Sequence, residues 1–412
     1  MLSKVSKLSI LNFLAQVIAV MGFSINANLY GAENLGGLLV VLSYSSIISI
    51  LSSGYLEQAF FIEKNYQHVK YLLILIGYIS LVVCSISGII LLFFNVSYII
   101  YIVLNIINST ILKTVDSYFI SQNRIILLSI IKLIFSPLIP LLLFLSFHIY
   151  GPRENLLIFI TTGGNLLFAI FMLLYTVKLF SLKFFVIDFF KFNLQFFLFK
   201  RYIKFVKFSM TGELMRTLAF KGPTIVLEKY FGKEIAGFYG IANRIVLTPI
   251  LVLVGTVSQI FIQKISTVKK FNNLGLSFTH NILKLLFALS LLGMIIFLLV
   301  GEYLLIWLLG ESFQEVYYVI IVLLPYAFAL MILNPLFSIY TVFEKQEYLF
   351  HMKGILLISS VLAFTFAVVK GDFILGLRLF SFSLFLTYLI YAFFAYKILR
   401  NHDKEIRKIY TS

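Results

Sequence analysis

Arg216, Lys221, Arg244 and Arg378 each interrupt a stretch that is otherwise long and apolar. A charge at the centre of a membrane-spanning helix costs about 2.5 to 3.5 kcal/mol on insertion scales, so four facing hydrocarbon would cost on the order of 10 to 14 kcal/mol. A marginally stable fold cannot carry that load without water or partners. These cations are therefore expected to line a wet cavity. For Arg216 and Arg244 the other readings are a structural ion pair or snorkelling to the headgroups, and Arg378 lies near enough to a span end to snorkel. Glu213 stands three residues before Arg216, the spacing at which two side chains share a helix face and pair. Asn105, Asn108, Ser109, Lys113 and Asp116 share one face of another stretch, and Asn12, Gln16 and Asn26 one face of the first. Such stripes read either as a wet interior or as interhelical hydrogen bonds worth about 0.6 kcal/mol each. Glu57 is open to two readings, solvation at the inner surface or coupling to a cation.

The residues needed for other chemistries are missing. No GxxxxGK[ST] loop and no HExxH motif occurs, so ATP hydrolysis and zinc hydrolysis lack their parts. A single cysteine, Cys84, permits neither a disulfide framework nor a thiolate metal site. The histidines, His68, His148, His280, His351 and His402, are isolated from one another. The expectation is no enzyme, no metal and no bound cofactor.

The elements that position the cations are membrane spans. Of the 412 residues 61% are apolar and only 12% charged, which excludes an ordinary soluble domain. A hydrocarbon core about 30 Å thick needs roughly 20 apolar helical residues. Twelve stretches qualify: 8–30, 36–62, 71–94, 97–120, 125–148, 155–178, 205–230, 236–262, 279–301, 316–342, 350–370 and 373–397. The net charge of +16 is distributed by side, not gathered into a nucleic-acid face. With the amino terminus inside, inner segments hold Lys4, Lys7, Lys64, Lys70, Arg124, Lys178, Arg201, Lys269, Arg400 and many more. Outer loops offer only Arg153, Lys233 and Lys370, against Glu33, Glu154, Glu234, Glu302, Glu311, Glu315 and Asp372. By the positive-inside rule both termini are cytoplasmic.

The basic, aromatic interval 179–204, with Phe184, Phe185, Phe189, Phe190, Phe196, Phe197 and Phe199, reads as an amphipathic linker on the inner leaflet. It divides a bundle over 1–178 from a second over 205–397, followed by a basic cytoplasmic tail, 398–412. Tyr30-Gly31-Ala32-Glu33-Asn34-Leu35-Gly36 returns 201 residues later as Phe231-Gly232-Lys233-Glu234-Ile235-Ala236-Gly237. At the same offset Gly54, Gln58 and Phe60 match Gly255, Gln259 and Phe261. Both copies join an odd to an even span on the outer side, so the repeat is parallel, related by an axis along the membrane normal. The glycines suit tight turns and close helix approaches. Pro137, Pro140, Pro223, Pro249, Pro325 and Pro335 are expected to kink their spans.

The run Gly222-Pro223 through Phe231-Gly232, Glu234, Ala236-Gly237-Phe238-Tyr239, Ala242, Arg244, Pro249 and Ser258-Gln259-Ile260-Phe261 resembles the polysaccharide (O-antigen) repeat-unit flippases. These are the Wzx-type transporters of the multidrug/oligosaccharidyl-lipid/polysaccharide exporter superfamily. The resemblance extends to span count, half-and-half organisation and length. It implies an all-α polytopic membrane protein of about 12 helices, in two pseudo-symmetric six-helix bundles around a central cavity. It also implies translocation of undecaprenyl-diphosphate-linked oligosaccharide repeat units, for O-antigen of lipopolysaccharide or another surface polysaccharide, from inner to outer leaflet by alternating access. Arg216, Lys221, Arg244 and Arg378 would then meet the diphosphate or acidic sugars, and an H+ or Na+ gradient would couple through Glu57, Asp116 or Glu213. Membrane lipids, a polysaccharide polymerase and a chain-length regulator follow as partners, and the bacterial inner membrane as location. One departure stands out: residues 8 to 29 carry no charge, whereas related lipid II flippases carry arginine there. The competing readings are a cation-coupled drug or small-molecule antiporter of the same superfamily, which would want cavity carboxylates such as Asp116, and a membrane glycan polymerase, which would want a large outer loop.

Overall fold

The computed structural model describes residues 2–63, 65–180, 188, 191–270 and 274–411, and the side chains of Asn12 and Gln16 lie outside what is described. Among the described residues every regular element is a helix: α1 (Leu2–Ser53), α2 (Tyr66–Phe93), α3 (Ile99–Ser121), α4 (Ile125–Phe135), α5 (Leu138–Tyr150), α6 (Glu154–Leu179), α7 (Phe192–Lys204), α8 (Thr211–Phe231), α9 (Lys233–Ala242), α10 (Thr248–Lys270), α11 (Leu276–Leu309), α12 (Gln314–Leu333), α13 (Ser338–Val342), α14 (Gln346–Lys370) and α15 (Phe373–Thr411). The all-α, polytopic class read from composition is what is observed.

Ten segments among the described residues are long and apolar enough to cross a membrane. The first, Val17–Ser53, runs through both of the first two expected spans. Instead of the loop expected at 30–36, the helix breaks at one residue, Gly31, with φ 79° and ψ 164°. That conformation is essentially glycine-only. α8 carries Glu213, Arg216, Lys221, Glu228 and Lys229 and is too polar to qualify by composition. Counting the two arms of α1 separately and adding α8 brings the ten to the twelve expected. Pro137 caps α5 at the break from α4, and Pro335 lies in a 3-10 turn, Asn334–Phe337, that ends α12. Pro223 and Pro325 sit inside α8 and α12.

Contacts divide the chain into two compact units, Met1–Gly237 and Phe238–Ser412. The seventh span, α8, which the sequence assigned to the second bundle, packs along α1 in the first unit. Buried polar groups tie that unit together. Asn105 Nδ2 donates to Thr162 Oγ1 at 2.7 Å, Asn26 Nδ2 to the Pro140 carbonyl at 3.2 Å and the Tyr30 hydroxyl to the Leu143 carbonyl at 3.0 Å. In hydrocarbon such groups have no water to turn to, so they find one another across helices. In the second unit, Asp403 is almost wholly buried and accepts the Gly275 and Leu276 backbone N–H groups at 3.0 and 2.9 Å. The end of α15 thereby caps the start of α11, satisfying two otherwise orphaned donors. α11 leaves most of its surface outward, with Tyr303 and Trp307 exposed towards one end, as aromatic residues at a membrane interface are.

The linker is docked rather than loose. Phe184, Phe185, Phe189 and Phe190 lie outside the described residues, but α7 packs Leu198 and Tyr202 into a core with Tyr71 and Leu72 of α2, and leaves Phe192, Phe196 and Phe197 exposed. Glu63 anchors it: the Tyr202 hydroxyl donates at 2.7 Å, the Asn65 N–H at 2.9 Å, His68 lies at 3.0 Å and Arg201 at 3.2 Å. Burial alone would raise the Glu63 carboxyl, but these hydrogen bonds and the Arg201 guanidinium outweigh it and hold the group at about 2. Since the folded group titrates below its ordinary 4.5, the anchor is at full strength above that pH and is lost as pH falls toward about 2. Amide exchange in 192–204, corrected for intrinsic rate, is expected to stay protected down to about pH 4.5 and to speed up below it. Loss of protection near neutrality would contradict this anchor.

Candidate functional site

Four segments of the first unit converge on one polar cavity of about 420 Å³. The arm of α1 that follows Gly31 contributes Ser46, Ser49 and Ile50, α3 contributes Ser109, Lys113, Asp116 and Ser117, and α8 contributes Glu213, Arg216, Thr217 and Lys221. The fourth segment depends on a local break. Gly54 and Tyr55 both take left-handed conformations, φ 59° and 60°, which stop the helix and start a 3-10 turn, Leu56–Phe61. A tyrosine there is a true outlier, and it places Tyr55, Glu57 and Gln58 on the cavity wall.

Five of the seven residues singled out from the sequence, Arg216, Lys221, Glu57, Asp116 and Glu213, are thus brought together. Arg244 and Arg378 belong to the second unit and are not among the lining residues of this cavity. Arg244 is half-buried in a π-helical turn, Asn243–Leu247, and Arg378 is exposed near the start of α15. Two residues that local spacing could not pair complete the electrostatics. Lys132 of α4 reaches Asp116 Oδ2 at 2.5 Å, and Lys113 donates to the Ser49 hydroxyl at 2.8 Å.

The cavity wall therefore carries three cations, Lys113, Arg216 and Lys221, and three carboxylates. The carboxylates are largely committed. Arg216 Nε donates to both Glu213 oxygens at 3.0 and 3.1 Å, with a further close contact from its terminal nitrogen, and Asp116 is held by Lys132. Glu57 is only 3% exposed, and among the described residues its Oε2 has no hydrogen-bond partner, as is true of Asp116 Oδ1. Serine, threonine and tyrosine hydroxyls fill the spaces between charges, so the lining can both donate and accept hydrogen bonds. Such a wall suits a ligand with many hydroxyls and a negative group, held against fixed cations in a low-dielectric site.

The lipid II flippase MurJ, in an inward closed conformation, superposes with a TM-score of 0.73 at 15% identity, covering 98% of this chain and 92% of that one. The chain has the fold of a MOP-superfamily transporter. An inward-facing multidrug resistance MATE family transporter of that superfamily matches with a TM-score of 0.61 at 15% identity, over 97% of this chain and 96% of that one. A MOP superfamily transporter from Pyrococcus furiosus, described by the reverse polarity of its binding pocket, matches with a TM-score of 0.61 at 15% identity over 98% and 96%. A family model described as "Polysaccharide biosynthesis protein" matches residues 155–318. A sequence search of curated proteins returned no match. The resemblance read from Gly222 to Phe261 is borne out by the MOP-superfamily fold and by the family match, which spans that run.

Proposed function

We propose that this MOP-superfamily transporter is a flippase that moves undecaprenyl-diphosphate-linked oligosaccharide repeat units of a surface polysaccharide, O-antigen among them, from the inner to the outer leaflet by alternating access. The observation that carries this reading is the cavity wall, hydroxyl-rich and studded with Lys113, Arg216 and Lys221. Each sugar hydroxyl taken unpaired into hydrocarbon costs roughly 2 to 7 kcal/mol, so a short oligosaccharide faces a barrier of tens of kcal/mol unaided. A wall of paired donors and acceptors removes most of it, and the cations meet the diphosphate. The match of residues 155–318 to a polysaccharide biosynthesis family and the likeness to a lipid II flippase both support this substrate class. Coupling to H+ or Na+ fits Glu57 and Asp116, each of which leaves one buried carboxylate oxygen without a hydrogen-bond partner among the described residues. The charge bias supports a bacterial inner-membrane location with both termini cytoplasmic.

A drug or small-molecule antiporter has one observation in its favour, the same three carboxylates on the wall. Two of them are already neutralised, Glu213 by Arg216 and Asp116 by Lys132, which leaves little negative field for a cationic drug. Deleting the gene and measuring undecaprenyl-linked oligosaccharide separates the two. Accumulation of that lipid, reversed by the native chain, is the expected result. An unchanged lipid pool with altered drug resistance would favour the antiporter.

A further inference from the structure

The two glycine corners repeated at an offset of 201 residues touch one another. Gly31 (φ 79°, ψ 164°) and Gly232 (φ 99°, ψ 164°) adopt the same glycine-only backbone, so the copies share a conformation as well as a sequence. Five residues on, Gly36 lies so close to the Lys233 carbonyl that a Cβ there would overlap the oxygen, and Gly237 meets the Ala32 carbonyl in the same way. Lys233 is the repeat equivalent of Ala32 and Gly237 of Gly36, so each contact is the other's mirror under the repeat. A third element pins the pair. Glu154 Oε1 and Oε2 hold Lys233 Nζ at 2.9 and 2.8 Å, and the Glu154 carboxylate fills the space that a Cβ on Gly37 would need. All of these residues lie in the first unit, on the face that the charge bias marks as outer.

The arm of α1 that follows Gly31 starts at this contact, and α8 ends there. The cavity lies between their more inward parts, at Ser46 and Ser49 on α1 and Glu213 to Lys221 on α8. At a rise of about 1.5 Å per residue, Gly36 to Ser46 and Lys221 to Phe231 each span on the order of 15 Å. The two helices are thus fastened backbone to backbone on the outer side of the cavity.

We infer that the paired glycine corners, Gly31–Gly36 and Gly232–Gly237, pinned by Glu154–Lys233, are a latch that closes the outer side of the polar cavity and must part for its contents to leave outward. The glycines allow this because, having no side chains of their own, they close directly on the Lys233 and Ala32 carbonyl oxygens, beside the Glu154–Lys233 ion pair. The inference rests on the transport reading for the direction of traffic, but its test needs no substrate.

The test places a cysteine at Ser46 in a Cys84→Ser background and labels intact cells from outside with a membrane-impermeant maleimide. With the native corners, labelling is expected to be slight. Gly36→Ala, whose methyl cannot coexist with the Lys233 carbonyl, is expected to raise it about tenfold by populating a state that is otherwise minor. Lys233→Ala, which removes the pin without adding bulk, should raise it by less. Gly163→Ala, where an added Cβ meets nothing within 4 Å, should leave it unchanged. Should Gly36→Ala fail to accumulate, Lys233→Ala decides. Folded variants at both positions that label no more than Gly163→Ala would overturn the latch. The lipid-pool experiment and this one fail independently, since labelling reads access and not cargo.

Discussion

Arg216→Glu is expected to cut export of the lipid-linked anion by about 100-fold or more while the protein accumulates at its normal level. Arg216 lines the cavity and is committed to Glu213 through its Nε and a terminal nitrogen. Reversing its charge removes one cation, frees Glu213 and adds a carboxylate to a wall that already holds Glu57 and Asp116. Placing like charges together costs several kcal/mol, and each 1.4 kcal/mol is about tenfold in an equilibrium. Folding should tolerate the change because the Arg216 side chain is 47% exposed. Arg216→Ala is expected to fall between the two, at about a tenfold loss. The check is surface glycan quantified against protein level in a deletion strain. Undiminished export by Arg216→Glu would show that cavity charge plays no part in selecting the cargo.

Lys70→Met is expected to destabilise the first unit by about 3 to 5 kcal/mol, the usual effect of removing one partner of a buried ion pair. Lys70 and Asp188 are each 5% exposed and in direct contact. Asp188 also accepts from the Tyr71 hydroxyl at 3.0 Å and has Lys191 at 3.8 Å, so some of its charge remains compensated. The double variant Lys70→Met with Asp188→Leu removes both charges and should recover most of the loss, because an apolar pair of similar volume needs no desolvation. Thermal unfolding in detergent checks both. A single variant with the native Tm would mean that this pair does not hold the linker to α2.

The parts of this molecule legible in its sequence are those with a period or a local spacing. Spans declare themselves by twenty-odd apolar residues, sidedness by lysine and arginine counts, and the Glu213–Arg216 pair by its separation of one helical turn. The glycine repeat was equally legible, and it marked two corners correctly as turns. That the corners lie on each other was not, because a repeat fixes equivalence and not contact. Lys132 on Asp116, Lys70 on Asp188 and Arg201 on Glu63 join residues on different helices, where no spacing rule operates. The loop expected between the first two spans proved to be a single residue, since Gly31 alone can take the required backbone. Arg244 and Arg378 looked equivalent to Arg216 by burial in an apolar run. Only the fold separates them: Arg216 lines a cavity of the first unit, whereas Arg244 and Arg378 belong to the second.

The most direct measurement is transfer in proteoliposomes holding the purified chain and an undecaprenyl-diphosphate oligosaccharide loaded in one leaflet, read by glycan exposed on the other side. The native chain is predicted to move the lipid across, and Arg216→Glu in the same vesicles to leave it near the protein-free rate. Transfer by the native chain no faster than protein-free vesicles, or equal transfer by both proteins, would contradict a cavity that carries lipid-linked glycan by its charge.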